Sequence, residues 1–118
     1  MWVFLPEGVF SITEHPGHAD QLQVRARVRA DLMALRVRIR EVNGVGFAPR
    51  IRVSFDTDYP FRFYVAKEKF APLFAKLVSA IDYSNFKNAC PRDRQSIYLR
   101  VWSLLISAFD KHRPRRTT

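Results

Sequence analysis

The chain has 118 residues, 47% of them hydrophobic and 26% charged, with a formal net charge of +9. This length fits one domain and the apolar share can fill a core, while the lack of any run of 18 or more apolar residues excludes a membrane-spanning helix. The excess charge lies in two segments, 24–40 with six Arg and one Asp and 111–118 with four basic residues and no acidic one, and the remainder is balanced.

In chain order, residues 2–5 and 9–13 are β-rich and flank Pro6-Glu7-Gly8, so they form either a short hairpin or one strand interrupted by a kink. Their opening, MWVFLPEGVF, lacks the basic start and long apolar run of a secretory signal. HPGHAD (15–20) reads as a loop. From 22 to 29 the chain alternates, with Val24, Ala26 and Val28 on one side and Arg25, Arg27 and Arg29 on the other, the pattern of a half-buried strand. Asp31 is placed to cap a helix whose stripe is Leu32, Leu35, Ile39 and Val42; Arg36, Arg38 and Arg40 flank that stripe. NGVG (43–46) ends it with glycine chemistry.

Residues 50–66 read as a hairpin. Ile51, Val53 and Phe55 face inward, DTDYP (56–60) turns, and Phe61, Phe63 and Val65 return inward, leaving Arg50, Arg52, Arg62 and Tyr64 outward. A helix follows from about 67 to 80, with Phe70, Phe74, Leu77 and Ile81 on one face. Pro72 suits it only in the first turn, which moves the start toward Lys69. DYSNFKNACP (82–91) is a polar connection with embedded aromatics. A final helix, 93 to about 110, carries Tyr98, Val101, Trp102, Leu105 and Phe109. Trp2 and Trp102 both sit in apolar patterns that point to the core.

Together these elements predict an α+β domain over 1–110, a four-stranded antiparallel sheet in the order ββα-ββαα with helices packed on one face, followed by a flexible basic tail at 111–118.

Several blocks carry a resemblance: MWVF at the start, VRARVRADLMAL (24–35), DYPFRFYV (58–65), DYSNFK (82–87) and YLRVWS (98–103). In this order they resemble a small bacterial and phage-associated family that opens Met-Trp-Leu-Phe and carries Asp-Tyr-x-x-Phe-Lys and Val-Trp-Ser blocks. The resemblance implies a bacterial or phage cytoplasmic origin and assigns no activity and no site residues.

The residues themselves point to a binding surface. If helices cover one sheet face, the other presents Arg25, Arg27, Arg29, Arg50, Arg52, Arg62 and Tyr64, joined by Arg113, Arg115 and Arg116 of the tail. Guanidinium groups pair with phosphates and stack on bases, so a nucleic acid or an acidic protein surface is the expected partner. FRFYV lacks the glycine and aromatic spacing of the sheet-surface RNA-binding signature. The bland alternative is a face neutralised by acidic neighbours or buried in a homodimer.

Three further constellations are weaker. His15, His18 and Asp20 have a metal-ligand-like spacing but no further ligand completes it. Asp56, Asp58 and Asp82 could hold Mg²⁺ in a metal-dependent nuclease, yet Asp is expected at turns anyway. Cys90 has no His partner at a readable spacing, and as the lone cysteine it forms no internal disulfide, which fits a reducing cytoplasm. The expectation is therefore a non-enzymatic, cofactor-free binding protein. The alternatives are a phage or mobile-element inhibitor or adaptor of a nucleic-acid-processing complex and, third, the nuclease.

Overall fold

The computed structural model describes residues 1–115, and the chain divides into two compact units, 1–82 and 83 onward. The first unit holds β1 (Trp2–Leu5), β2 (Gly8–His15), β3 (His18–Ala26), α1 (Arg29–Asn43), β4 (Arg52–Val53), β5 (Phe61–Ala66) and α2 (Lys67–Ser79). Its strands form one sheet in the order β1-β2-β3-β5-β4, antiparallel at every pairing. The fold is α+β, with five strands where four were expected. The extra strand comes from the N-terminus, where Pro6-Glu7 is a two-residue hairpin turn and Leu5 pairs with Gly8.

The core lies on one face of the sheet. Phe10, Ile12, Val24, Ala26, Phe63 and Val65 from the strands meet Leu32, Leu35 and Ile39 of α1 and Phe70 and Leu73 of α2 in a single buried cluster. The alternation in β3 and β5 and the α1 stripe thus do what their periods predict. Val42, the last residue of that stripe, packs at the margin of the cluster, as do Phe74 and Leu77 of α2. α2 starts at Lys67 and carries Pro72 inside it rather than in its first turn. Pro72 and Glu68, whose carbonyl loses its helical donor to the proline, are both exposed residues.

Two boundaries differ from expectation. β3 stops at Ala26 and α1 begins at Arg29, so Arg29 is a helix residue and not the third arginine of a strand. Val28, extended at φ −117° and ψ 125°, takes the capping position. Asp31 instead lies in the first turn, buried, where its Oδ2 accepts the Val9 N–H at 3.2 Å. Gly8 exists for this contact: a Cβ there would collide with the Asp31 side chain. The second boundary is β4, which shrinks to Arg52 and Val53. Ile51 still packs against the core, but Phe55 has left the sheet and is 86% exposed.

The His15-Pro16-Gly17-His18 segment is a tight turn between β2 and β3 rather than an open loop. His15 pairs with His18, and Gly17 takes a φ of 77°, as Pro-Gly does at the centre of a type II turn. That turn does not match the twist of paired strands, and the register shifts between Glu14 and His15.

The second unit is built on α3 (Arg92–Phe109), with 3-10 turns at Lys87–Ala89 and Asp110–His112. Phe86 stacks on Tyr98 at 5.5 Å, the Cys90 thiol donates to the Phe86 carbonyl at 3.2 Å, and Gln95 Nε2 donates to the Cys90 carbonyl at 2.9 Å. Asn85 Oδ1 accepts the Asn88 N–H at 3.3 Å. DYSNFK is thus a folded connector, locally satisfied. Of the expected α3 stripe only Tyr98 is buried, whereas Trp102, Leu105 and Phe109 are exposed.

Candidate functional site

The face opposite α1 and α2 carries the candidate site. Antiparallel register puts directly paired residues on one side of the sheet, and the pairings run Trp2–Ser11, Ser11–Arg25, Arg25–Arg62 and Arg62–Arg52. One row therefore crosses all five strands, and three neighbouring positions in it are arginine. Arg27 follows just past the end of β3, and the adjacent row is Thr13, Gln23 and Tyr64. Strands are spaced about 4.8 Å apart, so the arginines lie closer across strands than the alternate residues of one strand do.

Each guanidinium is held by neutral groups. Arg25 Nη2 donates to Ser11 Oγ at 2.9 Å, and its guanidinium lies 4.8 Å from the Tyr59 ring centre. Arg27 covers the same ring at 4.2 Å. Arg62 donates to Gln23 Oε1 at 2.9 Å, Thr57 Oγ1 at 3.1 Å and the Tyr59 carbonyl at 3.2 Å. Arg52 lies 5.6 Å from the Tyr64 ring, which stacks on His15 at 3.9 Å. The Ser54 N–H bonded to the Pro60 carbonyl at 2.8 Å closes the turn that buries Tyr59.

Among the described residues none of these four arginines is in an ion pair. Asp56, four residues from Arg52, accepts from Ser54 Oγ at 3.0 Å instead. Buried Nε atoms of Arg25 and Arg62 have no hydrogen-bond partner. Like charges directly opposite one another destabilise a sheet. Cation–π contacts of about 0.5–1 kcal/mol each offset part of that, and no carboxylate supplies the rest. Such a row is a surplus of positive charge, the arrangement that an incoming anion relieves.

The other predicted residues are placed elsewhere. Arg29 is exposed at the start of α1, and Arg50 is exposed just before β4. Arg113 and Arg115 are exposed in the second unit, and Arg116 lies outside the described residues. His15 and His18 are 4.6 Å apart by ring centre, but no three of His, Cys, Asp or Glu gather to hold a metal among the described residues. No family model, curated protein or solved structure matches the chain. What the face can do has to come from its own geometry.

Sequence reading missed four members of the face. Tyr59 was assigned to a turn, yet it is buried beneath two guanidiniums. Ser11 and Gln23 are buried polar residues that fix Arg25 and Arg62. Trp2 was expected in the core and is 75% exposed. Its signal was present: Val3 and Leu5 pack against the core, so the alternation of β1 turns Trp2 to the other side.

Proposed function

We propose that the protein is a non-enzymatic binding protein that engages a nucleic acid through the outer sheet face, with Arg25, Arg27, Arg52 and Arg62 as phosphate contacts and Arg113, Arg115 and Arg116 as auxiliary charge. The observation that carries this reading is the cross-strand row of three arginines without a carboxylate partner. Guanidinium groups hold their proton throughout the physiological range, so the face supplies charge and donors rather than proton transfer. A phosphate backbone is the polyanion whose repeated charges suit a row of this kind. The proposed setting is the bacterial or phage cytoplasm; no helix among the described residues is long and apolar enough to cross a membrane.

The test is fluorescence anisotropy of a labelled oligonucleotide across a salt series. Affinity should be highest at low salt and fall steeply as counterion release is suppressed. Absence of binding at low salt would overturn the reading. A second reading, an adaptor or inhibitor that binds a nucleic-acid-processing protein, is favoured by the exposed Trp102, Leu104, Leu105 and Phe109 of α3, since clustered apolar surface marks protein contacts. It expects a defined protein partner that survives nuclease treatment.

A further inference from the structure

The outer row does not end at its arginines. It runs on through Ser11 to Trp2 on β1, the far edge of the sheet from Arg52. The Trp2 backbone is well fixed: Met1 extends the pairing by accepting the Ile12 N–H at 2.8 Å, and Trp2 itself is in register with Ser11. The indole nevertheless has no ring or cation–π partner among the described residues and is 75% exposed. The two tyrosines of the face differ. Tyr59 is buried under Arg25 and Arg27, and Tyr64 is already engaged by His15 and Arg52. Trp2 is thus the aromatic surface of this row that a ligand can use.

We infer that the ligand of this face is a single-stranded nucleic acid that lies across the strands, with one base stacked on the Trp2 indole and its phosphates on Arg25, Arg62 and Arg52. The inference rests on the proposed function and deepens it. A duplex keeps its base faces stacked on one another and offers proteins only base edges and phosphates, so among nucleic acids an exposed indole on the arginine face suits an unstacked base. From Trp2 to Arg25 the row spans two strand spacings, roughly 10 Å, and from β1 to β4 about 19 Å, which a short run of unstacked nucleotides bridges. The direction also differs from the one suggested by Arg25, Arg27 and Arg29 on one strand: the path runs perpendicular to β3, because Arg62 and Arg52 continue the row and Arg29 does not.

The experiment uses the Trp102→Phe protein, in which Trp2 is the single remaining tryptophan. It is titrated with an oligothymidylate of about 12 nucleotides, within the site sizes of single-strand binders, and with a duplex of the same length. The single strand should quench Trp2 fluorescence and bind more tightly than the duplex. Trp2→Ala should weaken single-strand binding by about 5- to 100-fold without changing its salt dependence, and Trp2→Phe should retain most of the affinity. Since the side chain is exposed, Trp2→Ala should keep the parent melting curve, which separates loss of a stack from loss of the fold. Equal affinity for duplex and single strand, or salt-dependent binding with no quenching and no effect of Trp2→Ala, overturns the inference and leaves the phosphate-binding face standing. Binding of neither probe removes both.

Discussion

VRARVRADLMALRVRIR is one basic run in sequence and two different electrostatic environments in the structure. On β3 and just past its end, Arg25 and Arg27 are held by a serine and a tyrosine, with no ion pair to either. On α1, Arg38 donates to Glu7 at 2.9 Å and lies 3.6 Å from Glu41. The hydrogen bond to Glu7 is the main reason its guanidinium sits above even the usual arginine range. Arg36 and Arg40 donate to the carbonyls of Pro49 at 3.4 Å and Val45 at 3.2 Å, tying α1 to the chain that follows it. On α1, Arg38 is neutralised by two glutamates and Arg36 and Arg40 tie down the following chain, whereas on the outer face the arginines have no ion pair. Charge density in a sequence counts guanidiniums; only the partners decide which of them are available.

The comparison can be broken from either side. The largest effect is expected from Arg27→Glu combined with Arg52→Glu, two exposed positions on the outer face. Oligonucleotide affinity at low salt should fall by about 100-fold or more, since each charge-assisted contact contributes about 1.5–3 kcal/mol. Reversing Arg36 and Arg40 together should change it only a few-fold, and a matching loss there would erase the distinction. On the fold side, Asp31→Ala leaves the Val9 N–H without its acceptor and should lower unfolding stability by about 1–3 kcal/mol, read from chemical denaturation, with oligonucleotide affinity of the folded protein unchanged.

Smaller shifts sharpen the contrast. Arg38→Ala removes a half-exposed bridge to two glutamates and should lower stability by up to about 1 kcal/mol without touching affinity. Arg27→Ala should do the reverse, lowering affinity while keeping the unfolding free energy within about 0.5 kcal/mol of the parent or raising it, because a like charge leaves the face. A clear destabilisation by Arg27→Ala would mean that its place over Tyr59 is structural.

Much of this was legible in the chain, and the misses have physical causes. Alternation in 22–26 and 61–65 placed Val24, Phe63 and Val65 in the core and Arg25, Arg62 and Tyr64 opposite them, because one residue of register decides the face. The α1 stripe followed its period for the same reason. Arg29 was misplaced because alternation cannot announce where a strand yields to a helix; β3 ends at Ala26 although the apolar-polar pattern runs on. Phe55 was misplaced because β4 lasts two residues before the Asp-rich turn takes the chain off the sheet. That Arg25, Arg52 and Arg62 share the outer face was readable, but their register in one row was not. Arg25, Arg62 and Arg52 are far apart in sequence, and only strand order and register, which depend on non-local pairing, set them side by side.

We propose that the outer-face arginines, and not those along α1, meet the phosphates. The most direct measurement compares salt slopes of oligonucleotide affinity for the parent, for Arg25→Ala/Arg27→Ala/Arg52→Ala and for Arg36→Ala/Arg38→Ala/Arg40→Ala. Each lost phosphate contact on a single strand lowers the slope by about 0.7. The strand variant should therefore lose about 2 in slope while the helix variant keeps the parent value. Equal slopes for parent and strand variant, or a loss confined to the helix variant, would contradict the account.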